Sequence, residues 1–117
     1  MSVAWESFHR ATHELASSAS IKQRLTAAFS NHLKDLEPES LPPELRPRFQ
    51  ELHGRLNRVT PLRGESAVWA TVRKMSNDEA ETIARRIVEL LGELAPHREQ
   101  FARSGGRPVL SLYAAEG

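Results

Sequence analysis

Apolar side chains recur along this chain at steps of three and four residues, the spacing that lines up one face of an α-helix. Trp5, Phe8, Thr12, Leu15 and Ala16 share such a face, and the spacing predicts a first helix over about 3–15. Ser17, Ser18, Ala19 and Ser20 interrupt it. A serine hydroxyl accepts a hydrogen bond from an unpaired N–H in a helix's first turn. Ser20 with Gln23 fits the reciprocal capping pattern, so a second helix is expected to start at Ile21 rather than one helix running through the serines. Its stripe is Ile21, Leu25, Ala28, Phe29, Leu33 and Leu36. Glu37-Pro38 ends it, because the residue before a proline is pushed out of the helical region.

The connection 37–43 is acidic and holds three of the seven prolines, which makes it a short stiff loop. A third helix is expected to begin between Pro43 and Arg46, with Pro47 in its first turn, where a missing N–H costs little. Leu45, Phe49, Leu52, Leu56 and Val59 then form a regular inward stripe. Thr60-Pro61 closes it, and 61–64 makes a turn in which Gly64 permits positive φ. A short fourth helix follows over about 66–74, with Val68, Trp69, Val72 and Met75 apolar. Ser76 with Glu79 is a second capping pair, and Asp78 and Glu79 put negative charge where the helix dipole favours it. The fifth helix, from Asn77 to about Leu94, carries the widest apolar face: Ala80, Ile83, Ala84, Ile87, Leu90, Leu91 and Leu94. Glu81 and Arg85 are placed to pair across one of its turns.

Pro96 stops or kinks that helix, 97–103 adds a further turn or two, and Gly105-Gly106 breaks the chain. The expected fold class is therefore all-α, a single-domain bundle of four to five helices over 1–104 with an irregular C-terminal tail over 105–117. In that tail Val109, Leu110, Leu112 and Tyr113 are available to meet a neighbour or to fold back over the bundle. Isolated helices of these lengths are marginal in water, so burial of the stripes has to hold them.

Composition narrows the chemistry. Apolar residues make up 39 % of the chain and charged residues 26 %, with a formal charge of +1, which is an ordinary globular balance. The absence of cysteine removes disulfides, thiolate metal sites, iron–sulfur clusters and cysteine nucleophiles. No apolar run approaches the ~20 residues that cross a bilayer. Residues 1–15 have Glu6, His9, Arg10 and Glu14 scattered through them and lack a signal peptide's apolar centre, so the expected location is cytoplasmic.

His9 and His13 stand four apart, a spacing that suits a zinc ion, but two histidines do not fill a tetrahedral site. They are expected on a partly exposed helix flank, with no metal and no cofactor assigned. Glu37, Glu39 and Glu44 surround prolines, and Asp78, Glu79 and Glu81 are helix-end charges. Neither group comes with a matched nucleophile. No catalytic residue is therefore assigned.

Charge is segregated. Residues 44–74 hold seven Lys and Arg against three acids, a local +4, while 75–100 hold three Arg against six acids, a local −3. A basic stretch beside an acidic helix can be complementary within one fold or between two copies of it. Arginine outnumbers lysine thirteen to three, and guanidinium groups suit bidentate contact with carboxylate or phosphate. The candidate interaction surface is Arg55, Arg58, Arg63, Glu65, Trp69, Arg73 and Lys74. Arginine and tryptophan are enriched at the energetic centres of protein interfaces. The expected function is accordingly protein–protein contact by a small non-catalytic adaptor or regulator, with a protein partner or a second copy of the chain. Two alternatives stand beside it: nucleic-acid binding through the Arg-rich segment 46–74, and a small ligand held between helices.

Overall fold

A computed structural model describes residues 2–97, and within them the fold is all-α. The order is α1 (Val3–Leu15), α2 (Ile21–Ala28) continued by a π-helical turn (Phe29–Leu33), two 3-10 turns (Pro38–Ser40 and Pro43–Leu45), α3 (Arg46–Leu56), α4 (Ala67–Lys74), α5 (Asn77–Leu94) and a last 3-10 turn (Ala95–His97). The turns expected beyond 97 and the tail 105–117 lie outside the described residues. No helix among the described residues is long and apolar enough to cross a membrane.

Serines set the helix starts. Ser2, Ser20, Ser66 and Ser76 each accept a backbone N–H three residues on, from Trp5, Gln23, Trp69 and Glu79. At Ser20 the full reciprocal box forms, since the Gln23 side chain also accepts the Ser20 N–H at 3.2 Å. That box separates α1 from α2. Pro47 sits in the first turn of α3, as its fixed φ and missing N–H allow.

The stripes meet in one core. Phe8 of α1, Leu25, Phe29 and Leu33 of α2 and its π-turn, Phe49 and Leu56 of α3, and Ile83, Ile87 and Leu90 of α5 are essentially inaccessible to solvent. Phe8 meets Phe49 edge to face, with ring centroids 5.8 Å apart. Helices α1, α2 and α5 pack on one another, α4 lies against α2 and α3, and α3 touches α5.

Three expected details are corrected by packing. On α1 the buried face is Ala4, Phe8, Ala11 and Leu15, Trp5 and Thr12 are only half-buried, and Ala16 lies past the helix end and is exposed. Small alanines let α1 approach its neighbours closely, which the bulkier Trp5 does not. Helix α3 stops at Leu56, so Val59 leaves the stripe. Its backbone N–H donates to Thr71 Oγ1 of α4 at 3.0 Å.

The second helix ends at Leu33, ahead of Leu36, and it ends in a wide turn: the Lys34 N–H reaches back five residues to the Phe29 carbonyl, at 2.8 Å. At 100° per residue His32, seven residues on, would stand almost over Leu25. The extra residue in the π-turn rotates Leu33 into the core and His32 to the flank.

The segregated charges are partly spent inside the fold. Arg48 pairs with Glu93, and Arg55 with Glu79 at 2.7 Å, so two arginines of α3 meet two carboxylates of α5. Partly exposed pairs of this kind contribute about 0–1 kcal/mol each, so they align the two helices more than they stabilise them. Ile87 is fully buried and its neighbour Val88 is 45 % exposed. Ile87→Ala is therefore expected to cost about 2–4 kcal/mol in urea unfolding, and Val88→Ala no more than about 0.5 kcal/mol.

Candidate functional site

Helix α4 has only eight residues, and its placement creates the most distinctive surface of the protein. Val68, Val72 and Met75 point into the core. Between them Trp69 is left 46 % exposed, on the opposite side of a helix too narrow to bury both faces. The start of the helix is pinned by the Ser66 hydroxyl, which accepts the Trp69 N–H at 3.0 Å. Its inner side is pinned by Thr71, whose Oγ1 donates to the Ala67 carbonyl at 2.7 Å while accepting the Val59 N–H.

Glu65, Trp69 and Arg73 follow at steps of four and form one ridge, with Trp69 and Arg73 exposed and Glu65 mostly covered. The Arg73 guanidinium lies over the Trp69 ring, 4.8 Å from its centroid, a cation–π contact. The same guanidinium meets Glu65 at 3.3 Å. Glu65 in turn accepts the Leu62 N–H at 2.7 Å, which ties the preceding turn to the ridge. Gly64 has φ of 85° in that turn, the left-handed region that glycine enters without strain. Leu62, at the tip, is 69 % exposed.

Beside the ridge runs a groove of about 470 Å³ between α4 and α2 with its π-turn. Trp69, Val72 and Arg73 form one wall; Lys22, Thr26 and Asn31 are among the residues of the other. Lys22 Nζ donates across it to the Arg73 carbonyl at 3.2 Å.

The structure thus brings Glu65, Trp69 and Arg73 together and sets Lys74 directly after them. Arg63 is exposed on the turn and Arg58 is exposed after α3. Arg55 stands apart, half-buried against Glu79 of α5. Lys22 and Asn31 were not legible as site residues, because their place opposite Trp69 arises only when α2 packs on α4.

A second depression, about 460 Å³, is lined by His9, Arg10, His13, Glu14, Ser17 and His32. Trp5, His9 and His13 form a ladder of rings along α1, with centroids 4.6 and 4.7 Å apart. Among the described residues no three metal-ligating side chains converge. Glu14 is instead a clasp between α1 and the π-turn, accepting Asn31 Nδ2–H at 3.0 Å and meeting His32 Nε2 at 3.2 Å. His53 is structural as well. Its Nε2 donates to the Lys34 carbonyl at 3.0 Å, Asn57 approaches Nδ1 at 3.3 Å, and its ring packs edge-on to Phe29.

No protein-family model, curated protein or solved structure matches the chain. Any functional reading has to come from the chemistry of its own surface.

The Glu14 clasp has a consequence in acid. Hydrogen bonds from Asn31, first, and from His32 hold its carboxyl below the usual value of 4.5. A lowered carboxyl contributes stability that is complete above the ordinary value and is lost as pH falls through the folded one. The stability advantage of the native protein over Glu14→Gln is therefore expected to be constant near neutrality and to shrink from about pH 5 downward. Urea midpoints measured at each pH check this; a difference independent of pH would refute it.

Proposed function

We propose that this protein is a small non-catalytic adaptor or regulator, working in the cytoplasm, that holds a protein partner in the groove between α2 and α4 with Trp69 as the central anchor. The observation that carries this reading is a tryptophan left half-exposed yet held in place, with its ring under Arg73 and its backbone capped by Ser66. A large ring already fixed loses little freedom on binding. Covering its exposed half removes on the order of 100 Å² from water, which contributes about 2 kcal/mol to association.

Protein is favoured over nucleic acid by the way the basic residues are used. Of the seven in 44–74, Arg46 donates to the Leu41 and Glu39 carbonyls, and Arg48, Arg55 and Arg73 pair with carboxylates. Arg46, Arg48 and Arg55 are therefore engaged within the fold away from the groove, and Arg73 keeps part of its guanidinium free, so a phosphate backbone would be met by a reduced set of free cations.

A photo-crosslinking residue in place of Trp69, expressed in the native cell, is expected to capture a discrete protein, and the same residue in place of exposed Arg85 on α5 is not. Trp69→Ala is expected to weaken the captured partner at least tenfold while lowering stability by less than about 1 kcal/mol. Equal capture at both positions, or capture of nucleic acid at position 69, overturns the reading.

A further inference from the structure

The docking function proposed above leaves the chemistry of the partner open, and the lining of the groove narrows it. Nine residues line it; two are cations, Lys22 and Arg73, and none is acidic. The one carboxylate on the adjoining ridge, Glu65, is turned inward: its side chain is 13 % exposed and is occupied by Arg73 and by the Leu62 N–H. Glu65 thus positions Arg73 over the tryptophan without offering negative charge to a partner. Both of its contacts with Arg73 run to Nη2, which leaves the Nε and Nη1 donors for another carboxylate. Lys22 spends one of its three protons on the Arg73 carbonyl and keeps its full charge at the rim. Lys74, one residue on, is exposed but does not line the groove. Two cations, Lys22 and Arg73, therefore border an apolar strip made by Trp69 and Ala27.

The shape is a trough between two helices, and the described residues contain no strand to offer an edge to an extended peptide. A helix laid in a groove is the matching mode of recognition. The eight residues of α4 run for about 12 Å, so two to four turns of a partner helix cover the trough. We infer that the groove receives an acidic amphipathic helix, its apolar face on Trp69 and its carboxylates against Lys22 and Arg73. This inference rests on the docking function proposed above.

The test uses the full chain carrying Trp5→Phe, which leaves Trp69 as the one tryptophan. Three probes are titrated at low salt: a helix-forming peptide of about four turns with leucine on one face and glutamate elsewhere, the same peptide with lysine for every glutamate, and a twelve-nucleotide oligothymidine. The acidic peptide is expected to change Trp69 emission and to bind at least tenfold more tightly than its lysine counterpart. That preference is expected to fall as salt is added, since free charges at a rim are screened. Lys22→Glu, outside the core, is expected to abolish it. Equal binding of the two peptides overturns the acidic partner and leaves the docking function standing. No response to either peptide, while position 69 still captures a protein in the cell, does the same. An emission change driven by the protein's own concentration makes the occupant a second copy and also overturns the acidic partner. Tighter binding of the oligothymidine overturns both readings.

Discussion

Burial of three phenylalanines holds this molecule together. Phe8, Phe29 and Phe49 come from three different helices, and each is shielded from water almost completely. With no cysteine in the chain, no disulfide shares the task. Helices of eight to eighteen residues are not stable alone in water, so each exists because its apolar stripe is covered by another. Around that seam the aliphatic residues of α5, the longest helix, close the core from the other side.

The same requirement decides what is left outside. Helix α4 is short and gives Val68, Ala70, Thr71 and Val72 to the interior, which leaves Trp69 facing outward. Its ring, left half-exposed, lies under a guanidinium held by Glu65. The π-turn is the corresponding adjustment in α2. One extra residue per turn brings Leu33 inward, moves His32 onto the flank where it meets Glu14, and sets Asn31 both against Glu14 and along the groove wall. A packing device in one helix thereby shapes the surface that faces another.

Charge follows a similar division. The basic segment and the acidic helix partly satisfy one another within the fold through Arg48 with Glu93 and Arg55 with Glu79, so half of the local excess of +4 is matched internally. Of the rest, Arg58, Arg63 and Lys74 are exposed, and Arg73 meets Lys22 of α2 at the groove. A near-neutral chain thus presents one small cationic rim around an apolar strip, a pattern suited to choosing a partner more than to attracting anions in general.

Much of the architecture was legible from residue order. The spans of α1 and α5, the break at the serines, Ser20 with Gln23, Pro47 in the first turn of α3 and the left-handed Gly64 all follow from local rules, because a cap, a proline or a glycine acts within four residues of itself. Part of the surface was legible in the same way: Trp69 and Arg73 are neighbours one turn apart on α4. The rest depended on helices meeting. Nothing in the spacing of Lys22 or Asn31 marks them as facing Trp69, nothing near Arg55 says that Glu79 will claim it, and a period of 3.6 cannot reveal that one turn of α2 will widen. Local order determined which helices form and which faces are greasy; tertiary packing alone decided which polar groups pair, which turn must distort, and that a trough lies beside the exposed ring, since these depend on distances between segments far apart in the chain.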